Sequence, residues 1–266
     1  MKYGIFTFPT EYSIRVDQLA RAVEERGFES LWLPEHTHIP VQRRSPYPAG
    51  GALPRDYFHI ADPFVGLAAA AAVTKKIKLG TAICLVIEHD PIVLAKKAAS
   101  LDFLSGGRFI FGIGTGWNAE EMENHGTVFR TRYRLLRERI EAIKRIWCDN
   151  EPEYHGQFVN FDRMRSFPKP VHKPHPPIFF GGDTPLARQR VVDNYDGWTY
   201  CLSKKCYSER TVLPQQEMLL GAHLADNRHC LISKAGALVC AYNCTLQVFM
   251  GRTASAVRRL DAGKTQ

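Results

Sequence analysis

The sequence predicts a parallel α/β fold and, within that class, a (β/α)8 barrel. Three observations carry the prediction. Strand-like and helix-like segments alternate from the first residues, helix starts are marked by Asp-Pro and Thr-Pro pairs, and polar residues collect just past successive strands. A chain of 266 residues with 45% hydrophobic content is also long enough to bury one large core.

Residues 3–8, YGIFTF, read as a buried strand. Ser13 is expected to cap a helix with the apolar face Val16, Leu19, Ala20 and Val23, stopped at Gly27. Leu31–Leu33 is the next strand, and the polar, Pro- and Gly-rich residues 40–60 form a long loop. Asp62-Pro63 then opens a helix, because Asp caps free amides and proline supplies the right φ where no N–H is needed. The pattern repeats with strand 76–84 (KIKLGTAIC), helix start Asp90-Pro91, stop Gly106-Gly107 and strand 108–114 (RFIFGIG). A helix at about 131–148, strand 176–182 (PPIFFGG) and helix start Thr184-Pro185 follow.

Such alternation implies a parallel sheet with crossover helices outside it, which an open doubly wound sheet and a closed barrel both satisfy. No GxGxxG follows the first strand, which weakens the dinucleotide-binding sheet. The barrel is favoured because its active site lies at the C-terminal strand ends. Those ends carry Thr7, Glu35-His36-x-His38, Glu88-His89-Asp90, Gly114-Thr115-Gly116-Trp117-Asn118 and Gly181-Gly182-Asp183-Thr184.

The net charge of +8 is spread without a basic block interleaved with aromatics, so nucleic acid is not an expected partner. No apolar run is long enough for a membrane span, and the N-terminus, MKYGIFTFPT, does not read as a targeting segment. A cytoplasmic protein is expected. Charge and cysteine change character near residue 200. Residues 201–266 hold nine Lys/Arg against four Asp/Glu, and five of the seven cysteines. They also lose the strand–helix rhythm. The expected organisation is a barrel domain over 1–200 and an atypical segment over 201–266, foreign to the barrel or disordered, against a divergent ending that still closes it.

His36 and His38 could ligate a metal in a hydrolase, given further ligands from later strands, but His89, Asp183 and VHKPHPP (171–177) form no compelling set. His36 could instead be an acid/base group or a cofactor contact, since imidazole titrates near neutral pH, or both histidines could be structural. In GIGTGWN (112–118), glycines just past a strand allow close approach to a flat or phosphorylated ligand, or simply make a tight loop. FFGGDTPLARQRV (179–191) puts Gly-Gly before a helix start, an anion site or an ordinary cap. Together they describe a phosphorylated planar cofactor across the barrel mouth.

LWLPEHTHIP, DPFVGLAAAAAVTKKIKLGTAI, DPIVLAKKAASLDFLSGGRFIFGIGTGWNAEEMENHG and PKPVHKPHPPIFFGGDTPLARQRVVDNYDGW resemble the bacterial luciferase-like superfamily, in its branch of predicted coenzyme F-420-dependent oxidoreductases. The resemblance runs from residue 1 to about 198 and keeps the motifs in order. It implies a barrel holding coenzyme F-420 or FMN, the deazaflavin preferred, for hydride transfer or monooxygenation of a small organic substrate, often in a homodimer. Glu35 and His36 stand where related enzymes have an acid and a histidine beside the ring, with His36 the proton donor or acceptor. Ala82-Ile83 stands where relatives often have a non-prolyl cis peptide against the ring. Gly114, Thr115 and Gly116 supply the glycine loop, and Gly181, Gly182, Asp183 and Thr184 match the phosphate loop. Trp117 departs from dehydrogenases with a glutamate after the fourth strand's GTG, and reads as a stacking wall. Glu120 and Glu121 read as helix-opening carboxylates. The alternatives are an inactive or cofactor-binding barrel with an aberrant C-terminus, and a metal-dependent hydrolase using His36 and His38.

Overall fold

The computed structural model describes residues 4–182 and 184–199, with the short strands Leu231–Ile232, Leu238–Val239, Cys244–Gln247 and Phe249–Gly251. In chain order the elements are β1 (Gly4–Thr7), α1 (Val16–Glu25), β2 (Ser30–Leu33), α2 (Pro63–Val73), β3 (Lys78–Thr81), β4 (Cys84–Leu85), α3 (Pro91–Ser105), β5 (Phe109–Gly114), α4 (Ala119–Asn124), α5 (Arg132–Cys148), β6 (Tyr154–His155), β7 (Asn160–Phe161), β8 (Ile178–Gly181), α6 (Pro185–Asn194) and β9 (Gly197–Thr199), the four later strands being β10 to β13. Strands β1, β2, β3, β5, β8 and β9 pair in that order, every step parallel. Antiparallel β12 lies on β1 and β13 on β9, so both edges of this parallel sheet carry a paired neighbour.

Strand alternation sorts side chains into two cores. Leu31, Leu33, Leu79, Phe109, Phe111, Ile113, Ile178 and Phe180 face the helices and join the larger core with α1, α2, α3 and α5. The opposite face contributes Phe6, Trp32, Ile110 and Phe179, which cluster separately with Ala82. The Trp32 and Phe179 ring centroids are 6.0 Å apart although β3 and β5 separate their strands. In a flat sheet three strand spacings would hold them roughly 14 Å apart, so the sheet is curled and this second cluster fills its interior. Gly80 makes that possible: a Cβ there would stand 2.1 Å from the Trp32 indole. The barrel expectation is met in this curled form.

The helix starts form as the sequence predicts. Asp62 Oδ1 accepts from Val65 N–H, Asp90 Oδ1 from Val93 N–H and Thr184 Oγ1 from Ala187 N–H, with proline in each first turn. Gly106, at φ 66°, ends α3 in the left-handed conformation. Two expectations are corrected. Ser13 accepts from Thr10 N–H and donates to Thr10 O, closing a turn, and α1 begins after Arg15 without a side-chain cap. The segment 76–84 is two strands, because a cis Ala82–Ile83 peptide interrupts it between β3 and β4. Apart from its four short strands, the 201–266 segment lies outside the described residues. No described helix is long and apolar enough to cross a membrane.

Candidate active site

Because the six strands run parallel, the segments just past Leu33, Thr81, Gly114 and Gly181 meet on one face. Consecutive residues beyond β2 then separate into different environments. Glu35 is buried and accepts from Leu85 N–H at 2.6 Å and from His89 Nε2–H at 2.9 Å, tying the end of β2 to β4. Burial pushes its carboxyl up, but the bond and charge of His89 and the Leu85 amide outweigh this and hold it below the ordinary range.

His36 goes to the other side. Its Nδ1 lies 2.6 Å from Oε2 of Glu121, and Glu121 Oε1 accepts from Thr37 N–H at 3.0 Å. A carboxylate only accepts, so Nδ1 carries the proton of this bond. Nε2 has no hydrogen-bond partner among the described residues. Glu121 is fully buried on α4 and also receives Asn118 Nδ2 at 3.5 Å. The imidazole is framed by Tyr57 and Trp117, with ring centroids 5.3 and 5.8 Å away, and Tyr47 lies 5.4 Å from Tyr57 and 6.1 Å from Trp117. Arg43 adds its guanidinium over the Trp117 face.

The loop 40–60 is fastened to the start of α4. Glu120 accepts from Arg44 N–H, Arg44 Nε–H and Ser45 N–H, while Ser45 Oγ accepts from Ala119 N–H at 2.9 Å. Desolvation opposes ionisation of Glu120, but the Ser45 and Arg44 bonds prevail and bring it down to about 2. Ser45 therefore caps α4 from outside, leaving Asn118 free to touch Glu121.

The glycine loop has a different use from the one its composition suggests. A Cβ on Gly114 would stand 2.1 Å from Ile83 Cδ1, and one on Gly181 would stand 2.5 Å from Ile83 Cγ2. Both glycines thus make room for Ile83, the second residue of the cis peptide, next to Ala82 of the interior cluster. Gly116 takes φ 66° against Leu85, and Thr115 is buried. Gly182 O accepts from Trp198 Nε1–H at 2.5 Å, and Thr184 Oγ1 is engaged in its cap. Asp183 lies outside the described residues.

His36 and His38 take separate partners. His38 Nε2 receives Asn124 Nδ2 at 2.8 Å, and its Nδ1 lies 2.9 Å from Thr37 Oγ1, which in turn lies 2.7 Å from His125 Nε2. The sequence marks Glu121 only as a helix-opening carboxylate and does not single out Tyr47 or Tyr57. Asn118 and Glu121 stand at N-cap and N3 of α4, a spacing that ordinary helix capping already explains. The only signal for the tyrosines is that they are two of three aromatics, with Phe58, in a polar loop.

The luciferase-like monooxygenase family matches residues 1–213. An uncharacterised protein of Mycobacterium tuberculosis is 43% identical over 202 residues, 74% of this chain and 71% of the relative. The oxygenase component of a flavin-dependent trigonelline monooxygenase of Acinetobacter baylyi is 31% identical over 180 residues, 66% of this chain and 45% of its own. The monooxygenase RslO1 of Streptomyces bottropensis superposes with TM-score 0.61 at 28% identity, covering 72% of this chain and 57% of its own. The coenzyme F420-dependent tetrahydromethanopterin reductase of Methanopyrus kandleri superposes with TM-score 0.59 at 23% identity, covering 74% and 55%. The chain thus spans little more than half the length of these two solved structures. The family match and the M. tuberculosis relative agree with the curled parallel sheet: the chain belongs to the luciferase-like monooxygenase family.

Proposed function

We propose that this chain is a flavin- or deazaflavin-dependent oxidoreductase, with coenzyme F-420 preferred over FMN, that acts on a small organic substrate. The observation that carries it is the His36 ring, fixed through Nδ1 by a buried carboxylate and framed by aromatic side chains, with Nε2 left unpartnered among the described residues. These residues fit a planar redox ring, since aromatic walls match its faces and an oriented imidazole can serve its protonation. When bound, the deazaflavin would supply hydride transfer, as reduced FMN would supply oxygen activation.

The chain's own groups divide the remaining work. His36 gives or takes at Nε2 the proton that accompanies the redox step. Glu121 fixes the ring's tautomer and stabilises its cationic form, the part a carboxylate plays behind other catalytic histidines. Glu35 is a positioning residue, holding β4 and His89 in place. Ala82 and Ile83 support the ring, Trp117 and the two tyrosines exclude water from it, and Gly114, Thr115 and Gly116 shape the wall beneath Trp117. Gly181, Gly182, Asp183 and Thr184 would take the phosphate, whose negative charge the N-terminus of α6 beyond Thr184 favours.

The test is a fluorescence titration of the purified protein with coenzyme F-420 and, separately, FMN. Saturable micromolar binding of F-420 supports the proposal, and FMN binding alone reassigns the cofactor. Binding of neither overturns it. Binding without turnover across candidate substrates would reduce the chain to a cofactor-binding barrel.

A further inference from the structure

Glu88 is a buried acid that the proposed reaction does not use. It ends the short 3-10 turn Val86–Glu88 before α3, is 8% exposed, and neither carboxyl oxygen has a hydrogen-bond partner among the described residues. An ionised carboxylate so placed would forgo several solvating bonds, a cost that buried charges ordinarily meet by pairing or by neutralising. Pairing is not available in sufficient strength. The titratable groups that act on Glu88 from the packed elements are Glu35 beyond β2, the buried Cys84 thiol of β4, Glu121 on α4 and His125 after α4, while His89 follows it in sequence and Arg139 of α5 is bonded to Val86 of the same turn. Two are carboxylates. Arg139 donates to Val86 O, and His89 is occupied by Glu35.

His125 is the remaining candidate, and its Nε2 lies 3.8 Å from Glu88 Oε2, beyond hydrogen-bond range. Thr37 Oγ1 lies 2.7 Å from that same nitrogen, so His125 Nε2 already has a hydrogen-bond partner other than Glu88. Burial, with the neighbouring His38, holds the His125 ring below its ordinary range, which weakens it as a cationic partner for Glu88. Burial, then Glu121, then Glu35 raise Glu88 to about 9.

We propose that Glu88 is a positioning residue for the His36–Glu121 pair: a neutral carboxylic acid whose proton keeps the buried trio of Glu35, Glu88 and Glu121 at two negative charges instead of three. This deepens the reading of His36 as the proton-transfer group. Neutral Glu88 leaves the negative charge of Glu121 for the His36 ring. Ionised Glu88 would set a third charge beside Glu121 and change the proton affinity of the pair.

The test needs neither cofactor nor substrate, so its failure is distinct from failure of the proposed activity. The ring signals of His36, assigned by comparison with a His36→Gln variant, are followed by NMR from about pH 5 to pH 10 in wild type and in Glu88→Gln. Wild type should show an inflection near about pH 9 that is lost in Glu88→Gln. A merely structural role would move stability and leave that inflection in place, so identical titrations in two folded proteins overturn the proposal. Should Glu88→Gln fail to fold, the wild-type infrared spectrum decides. A protonated carboxylic acid band at pH 7 that disappears toward pH 10 supports a neutral Glu88, and its absence overturns the proposal.

Discussion

Glu121 Oε2 stands 2.6 Å from Nδ1 of His36, bridging 85 residues of sequence to join a short helix to the end of β2. Both side chains are nearly sealed, 1% and 7% exposed, so the bond forms in a low-dielectric setting where a carboxylate strongly orients an imidazole. If His36 moves the proton, His36→Ala should lower turnover by about 10²- to 10⁴-fold. Glu121→Gln keeps the shape but loses the charge, and should lower turnover by at least about tenfold. Cofactor affinity should change little in either variant. Rate and dissociation constant measured on the same preparations check this, and a Glu121→Gln enzyme with full turnover would remove the carboxylate from the mechanism.

A second expectation concerns stability against pH. Glu88 is raised to about 9 in the folded protein, from an ordinary value of 4.5. The folded state therefore holds this proton more tightly than the unfolded state. The stability it contributes is complete below the unfolded value and is lost as pH rises toward about 9, by up to roughly 1.4 kcal/mol per pH unit. Glu88→Gln should abolish that slope and be the more stable protein at about pH 8, by up to a few kcal/mol. Urea unfolding of both proteins at pH 6, 7 and 8 measures the difference. Parallel slopes would mean that Glu88 is ionised in the native state.

The sequence was informative where chemistry is local. Asp62-Pro63, Asp90-Pro91 and Thr184-Pro185 each write a helix start that three residues suffice to make, and each formed. The strand ends likewise delivered His36 and Trp117 to one face. What stayed hidden depends on distant partners. Ser13 is a good cap residue, but a turn onto Thr10 uses its hydroxyl first. Glu121 looked like a helix-opening acid because its partner lies 85 positions away. The glycines of GIGTGWN suggested room for a ligand, and only the folded chain shows Ile83 filling the space above Gly114.

That filling is itself testable. Gly114→Ala should destabilise the protein by about 1–3 kcal/mol, the usual cost of overpacking, because its Cβ would meet Ile83 Cδ1 at 2.1 Å. Ile83→Val removes that methyl group and alone costs about 1 kcal/mol. Since each change supplies what the other lacks, the double variant should be more stable than the sum of the single losses predicts, by about 1 kcal/mol or more. Thermal unfolding of the four proteins completes the cycle, and strict additivity would show that the two sites do not share this space.

The aromatic frame separates a wall from an ornament on the same loop. Tyr47 and Tyr57 pack toward Trp117 and His36, whereas Phe58, next in sequence, is 53% exposed. If the frame holds a planar ring, Tyr47→Ala and Tyr57→Ala should each cost about 0.5–1.5 kcal/mol of binding, or roughly two- to twelvefold in affinity. Phe58→Ala should cost none. Glu120→Ala tests how the frame is held, because it removes the acceptor for Arg44 and Ser45 that fastens the loop to α4. It should weaken binding by loosening the loop that carries both tyrosines, and the rate of the bound complex should stay near wild type. Equal losses from Phe58→Ala and Tyr57→Ala would mean that the loop matters only as a cover, with no specific stacking surface.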